Sequence, residues 1–204
     1  MGTHTMGMPK KKTGIMDWLT TVDHKKIGVL YIISGLFFLL VGGVEALMIR
    51  FQLIKPMNDF VSGELFNQLI TMHGTTMIFL AAMPMLIGYM NAAVPLQIGA
   101  RDVAFPFLNA LGFWLFFFGG VLLNLSWFFG AAPNAGWTAY APLSTVPESL
   151  GVDFYSLGLQ ISGFGTLMGG INFLVTILNM RAPGMKLMRM PLFTWTAFVA
   201  SALI

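Results

Sequence analysis

The chain has 204 residues, 56% of them hydrophobic and 9% charged, with a formal net charge of +3. An average soluble domain carries roughly 25% charged residues, so this composition is that of a membrane protein. The basic residues lie between apolar runs and carry no signature of nucleic-acid binding, and the absence of cysteine excludes disulfides, zinc–thiolate sites and iron–sulfur clusters.

In chain order, residues 1–26 are polar and basic, with no apolar run ahead of a small-residue cleavage site. Five apolar segments follow, over about 27–49, 66–94, 104–130, 155–180 and from 189 onward. A helix needs about 20 residues to cross the hydrocarbon of a bilayer, so the first four are full spans. The fifth, Met190 to Ile204, is short of a crossing and has no polar tail. The expected fold is an all-α polytopic transmembrane bundle of four spans plus the start of a fifth, read as the front part of a longer polypeptide.

Loop charges orient the bundle. Lys10, Lys11, Lys12, Lys25, Lys26, Arg101, Arg181, Lys186 and Arg189 fall on one side, against Arg50 and Lys55 on the other. The positive-inside rule then places the N-terminus in the cytoplasm, with residues 1–26 a cytoplasmic segment and 27–204 the membrane part. On the fourth span Ser162, Thr166 and Gly170 make a small-residue stripe that permits close helix approach. Pro84 predicts a kink in the second.

Residues 65–100 contain no Asp, Glu, Lys or Arg, yet His73 sits among them. An imidazole at that depth is costly unless its nitrogens are occupied, either by a neighbouring carbonyl or by a metal or cofactor iron. Asn91 lies 18 residues on, five turns at 3.6 residues per turn, so both are expected to face one way. Asp102 at the cytoplasmic mouth, then Asn91, Asn109 and Asn172 near the inner side, and Ser162, Thr166 and Tyr31 further in form a layer of polar groups. Such a layer either conducts protons along a file of water or bonds the helices together. On the outer side Arg50 ends the first span at about the level of His73, with Glu45 one turn deeper.

The run Met72-His73-Gly74-Thr75-Thr76-Met77 and the run Pro95-Leu96-Gln97-Ile98-Gly99-Ala100-Arg101-Asp102, continuing to Asn109, resemble subunit I of the haem–copper oxidases. So do Thr21-Val22-Asp23-His24-Lys25-Lys26, Gly136-Trp137-Thr138-Ala139-Tyr140 and Gly170-Ile171-Asn172. The resemblance extends from about Trp18 onward and is greatest to the haem A cytochrome c oxidases of Gram-positive bacteria. It implies a proton-pumping respiratory enzyme of the bacterial cytoplasmic membrane. Such an enzyme takes electrons from cytochrome c through a low-spin haem to a high-spin haem and copper that reduce oxygen to water.

By position, His73 matches an axial ligand of the low-spin haem iron, and Arg50 the arginine at the haem A formyl group. Trp137 and Tyr140 fall in the loop near the propionates. Asp102 matches the mouth of the D-channel, and Asn91, Asn109, Asn172, Ser162, Thr166 and, more loosely, Tyr31 match its lining. Gly112 and Gly165 stand where relatives often have Ser, and Ala110 where they have a second Asn, so water or Thr166 is expected to bridge those gaps.

The family's other haem and copper ligands lie on later helices. Here the histidines are His4, His24 and His73, the first two in the polar N-terminal segment, so the chain alone is expected to lack the oxygen-reducing centre. The implied partners are the remainder of subunit I, a copper-bearing subunit II, subunit III, cytochrome c and membrane lipid. The quinol-oxidising branch would place Arg and His at the positions of Val41 and Leu65, beside Glu45 and Gln68. Their replacement favours cytochrome c over quinol as donor. A haem-free transporter, with Asp102 and the asparagines binding substrate, is the rival from another class.

Overall fold

A computed structural model describes residues 14–129, 132–145 and 150–204. His4, Lys10, Lys11 and Lys12 lie outside the described residues. The secondary structure is helical. Helix α1 (Ile15–Leu19) precedes α2 (His24–Gln52), and α3 (Gly63–Thr75) passes through a π-helical stretch (Thr76–Ala82) into α4 (Met83–Ile98). Then come α5 (Pro106–Leu125), α6 (Leu150–Asn179) and α7 (Leu192–Leu203). Four helical segments are long and apolar enough to cross a membrane: 24–52, 63–98, 106–128 and 150–179. The fifth apolar segment is the shorter α7.

Local chemistry sets the ends. Asp23 caps α2 by accepting the Lys25 N–H at 2.8 Å, and Ser62 caps α3 by accepting that of Leu65 at 3.2 Å. Gly99 ends α4 in the left-handed conformation, φ 75°, which glycine enters without a Cβ penalty. Pro106 opens α5, where its missing N–H is of no consequence. The Arg181 guanidinium closes α6 by donating to the Ile177 carbonyl at 2.5 Å and to that of Met185 at 3.2 Å.

Helix α2 starts three residues before the apolar run, because Asp23 is its cap. His24 is therefore the first helical residue and is 2% exposed, a correction to its assignment to a polar tail.

Two glycine interfaces hold the bundle together. On α2, Gly28, Gly35 and Gly42 recur every seven residues and receive the second span. A Cβ on Gly28 would lie 2.9 Å from the Gly88 carbonyl oxygen, one on Gly35 would lie 2.6 Å from Met85, and one on Gly42 would lie 2.8 Å from Met77. Between α5 and α6, Gly112 faces Gly165 and Gly119 faces Gly158, with hypothetical Cβ-to-carbonyl distances of 2.4–2.9 Å. In lipid, where burying apolar surface brings no gain over the tails, close van der Waals contact of this kind is what drives helices together.

The close-packed stripe of α6 is thus Gly158, Ser162 and Gly165. It is not the expected Ser162, Thr166 and Gly170, since Gly170 instead meets α7 at the Ser201 carbonyl. At Gly112 and Gly165, the space a side chain would take is occupied by the facing backbone. Aromatic rings seal α2 to α5: Tyr31 lies 5.1 Å edge-on from Phe113 and 5.4 Å stacked on Phe116.

Gly165→Ala should force α5 and α6 apart at a cost of about 1–3 kcal/mol, the usual penalty for overpacking. Its melting midpoint in detergent should fall, whereas Gly43→Ala, which meets nothing within 4 Å, should leave the midpoint unchanged or raise it.

Candidate functional site

His73 lies ten residues into α3, deeper than expected because the helix begins at Gly63 rather than 66. Its Nδ1–H donates to the Gly42 carbonyl at 2.9 Å. The glycine stripe of α2 allows that approach. With Nδ1 carrying the proton, Nε2 holds the lone pair, and it has no hydrogen-bond partner among the described residues. A metal-bound histidine almost always donates its other ring N–H to a carbonyl, carboxylate or water, which fixes the tautomer and the ring plane. The chemistry of this donor set therefore fits an axial ligand to a haem iron. Among the described residues no group of three His, Cys, Asp or Glu side chains is placed to hold a metal ion.

Three contacts tie the outer loop to α3 and α6. The Gly136 N–H donates to Thr71 Oγ1 at 3.0 Å, and Tyr155 Oη donates to the Trp137 carbonyl at 2.6 Å. Trp137 covers Gly74, where a Cβ would lie 3.1 Å from the Trp137 Cβ and 3.3 Å from its indole. Trp137 is still 45% exposed. Tyr140 is 76% exposed. Arg50 is exposed in the last turn of α2, eight residues beyond Gly42, or about 12 Å at 1.5 Å per residue. It stands outside the level of His73, and Glu45, five residues further in on α2, is buried.

A π-helical stretch, Thr76–Ala82, lies between His73 and Asn91, where pairing i to i+5 widens the turn. His73 is half-buried against α2, and the fully buried Asn91 packs its Cβ against Gly28 of α2 while its amide reaches α5. There Asn109 Nδ2 donates to Asn91 Oδ1 at 2.6 Å, and Asn91 Nδ2 donates to the Ile87 carbonyl at 3.0 Å.

The other polar residues are spread along the bundle. Asp102 is half-buried and accepts the Val103 N–H at 2.7 Å. The Tyr31 hydroxyl reaches α5 beside Gly112, one turn beyond Asn109. Ser162 and Thr166 line a cavity of about 660 Å³ with Phe79, Met83, Leu159 and Ile204. Asn172 differs from the rest, because both ends of its amide are committed to backbone. Its Oδ1 accepts the Phe105 N–H at 2.8 Å and its Nδ2 donates to the Phe105 carbonyl at 3.2 Å. Thr176 accepts the Ala104 N–H at 2.8 Å beside it. Together they clamp the segment that carries Asp102 into α5.

A second cavity, about 400 Å³, brings together Val41, Glu45 and Leu65, three of the four positions weighed for the electron donor, with Leu69 and Trp127; Gln68 is not among its lining residues. Glu45 is 5% exposed; its Oε1 accepts from Trp127 Nε1 at 3.3 Å and its Oε2 has no partner.

The sequence pattern of the family described as cytochrome C and quinol oxidase polypeptide I matches residues 26–204. The chain is 71% identical over 198 residues to cytochrome c oxidase subunit 1 of Bacillus sp. (strain PS3), covering 96% of this chain and 32% of that protein. Over 197 residues it is 70% identical to cytochrome c oxidase subunit 1 of Bacillus subtilis (strain 168), with 96% and 32% covered. Quinol oxidase subunit 1 of the same organism is 56% identical over 190 residues, with 92% and 29% covered. The chain thus spans about a third of the length of these relatives.

Asn172→Ala should remove both bonds to Phe105 and lower the thermal midpoint of the complex by the equivalent of about 1–3 kcal/mol, the range for orphaned buried groups. Differential scanning calorimetry of the purified complex checks this, with Leu178→Ala on the exposed face of α6 as the reference.

Proposed function

The chain belongs to the cytochrome c and quinol oxidase polypeptide I family, and from that premise we propose that it serves a proton-pumping terminal oxidase of the bacterial cytoplasmic membrane. In this reading the complete enzyme passes electrons from cytochrome c to oxygen, and this part of subunit I contributes the low-spin haem A side and the mouth of the proton path. The remainder of subunit I carries the high-spin haem and copper, with subunits II and III as partners. Family membership replaces the transporter reading. The observation that carries the proposal is the His73 imidazole, held by Nδ1 on the Gly42 carbonyl with Nε2 free to ligate.

When bound, a haem held by His73 would supply one-electron uptake and release. Around it the chain's own residues have separable tasks. His73 supplies the nitrogen lone pair, and Gly42 orients it. Trp137, anchored by Tyr155, is seated on Gly74, the residue after His73. Arg50 projects from the outer end of α2 as a guanidinium donor suited to a formyl or carboxylate oxygen, and Tyr140 offers a hydroxyl on the same side.

On the inner side Asp102 takes up protons, and the Asn91–Asn109 pair lies between it and the hydroxyls of Tyr31, Ser162 and Thr166. Asn172 acts as the clamp that fixes Asp102 relative to α5. With nine of eleven basic residues on that side, the N-terminus is cytoplasmic.

The donor assignment rests on the 400 Å³ cavity. Val41 and Leu65 place hydrocarbon where the quinol branch would place Arg and His, and the carboxyl of Glu45 is paired with Trp127. Cytochrome c is the donor. The purified enzyme should turn over with reduced cytochrome c and show no quinol oxidation in its absence; quinol turnover without cytochrome c would assign it to the other branch.

His73→Ala should abolish the low-spin haem band in the reduced-minus-oxidised spectrum, and an unaltered spectrum would reject the ligand assignment. Asp102→Asn should leave that band intact and slow proton uptake at least about tenfold, as removing a proton-transfer group typically does. Unchanged turnover and pumping would refute the uptake role.

A further inference from the structure

Asn91 is followed four residues later by Pro95, inside the same helix. In an α-helix the carbonyl of residue i accepts the N–H of residue i+4, and proline has none. The Asn91 carbonyl therefore lacks its ordinary partner, at a position where the residue is fully buried. An acceptor left in that state is costly. The missing donor comes from another helix: His24 Nδ1–H donates to the Asn91 carbonyl at 2.7 Å across 67 residues of sequence.

The surroundings hold this contact in place. His24 is 2% exposed at the first position of α2, fixed there by the Asp23 cap. One turn further on, Gly28 and Gly88 bring the two backbones together, and a Cβ on Gly28 would stand 3.3 Å from that of Asn91. Asn91 is thereby held from three directions: by His24 on its carbonyl, by the Ile87 carbonyl on Nδ2 and by Asn109 on Oδ1.

We propose that His24 is a positioning residue for the Asn91–Asn109 amide pair, required because Pro95 leaves the Asn91 carbonyl without a helical donor. The inference rests on the proton-path reading of those asparagines. Without the imidazole N–H the bared carbonyl competes for Asn109 Nδ2 or draws in water, and the amide pair turns out of register. His24 itself need carry no proton along the path. What it supplies is a fixed donor.

The test uses the complete membrane-embedded oxidase and reads proton uptake per haem by stopped-flow dye absorbance. His24→Leu should slow uptake about tenfold, the kinetic equivalent of one unsatisfied buried acceptor, with the low-spin haem band retained. His24→Asn, whose Nδ2 can stand in for Nδ1–H, should stay within about twofold of the parent, a margin below the worth of one net hydrogen bond.

Pro95→Ala gives the Asn91 carbonyl an N–H of its own, so it should be near parental alone and should rescue His24→Leu in the double variant. A double variant as slow as His24→Leu, or a His24→Leu with parental uptake, overturns the proposal. If His24→Leu alone yields no assembled enzyme, the decision passes to the double variant, where fast uptake supports the proposal and slow uptake overturns it. Asp102→Asn run in parallel separates the two levels: if it is parental the proton-path reading itself fails, and if it is slow while His24→Leu is parental only the positioning role fails.

Discussion

Everything at the outer end of the bundle depends on how closely α2 approaches the second span. A Cβ on Gly42 would press on Met77 at 2.8 Å, and beside that close approach His73 Nδ1 reaches the Gly42 carbonyl at 2.9 Å. That bond decides which ring nitrogen carries the proton, and hence which one is left with a lone pair. The proposed ligand is oriented by the backbone of a neighbouring helix, before any cofactor contributes.

The same glycine stripe organises the inner end. At Gly28 it brings α2 against Asn91, and at Gly35 it admits Met85, so the helix pair is clasped along its length. The α5–α6 pair repeats the device with Gly112, Gly119, Gly158 and Gly165. These contacts join residues far apart in sequence into two polar levels, His73 with the Gly42 carbonyl outside and Asn91 with Asn109 inside. The π-helical stretch lies between them, and both levels abut α2, His73 at Gly42 and Asn91 at Gly28. Such wide turns occur frequently at functional sites, where they re-aim side chains.

Much of this was legible in the sequence. The four spans follow from apolar length, and the importance of His73 from its placement in an uncharged run. The assignment of roles to Asp102 and the asparagines came from family resemblance. Other features were hidden for physical reasons. Thr76–Ala82 has no compositional mark distinguishing a π turn from an α turn, so the wide turn between His73 and Asn91 is invisible in the sequence. Asn172 reads as a pathway amide until the backbone of Phe105 is seen in its grasp. His24 was assigned to the polar tail because a hydropathy window averages it with Asp23, Lys25 and Lys26. Two signals in the sequence carry this packing: glycines at 28, 35 and 42, and a proline four residues after Asn91.

The account stands on the proposal that the free nitrogen of His73 meets a haem iron. A high-resolution density map of the complete oxidase tests it directly. It should show Nε2 bonded to the iron of a tetrapyrrole while Nδ1 keeps its hydrogen bond to the Gly42 carbonyl. Density with Nε2 bonded only to protein or water, and no macrocycle beside it, would contradict it.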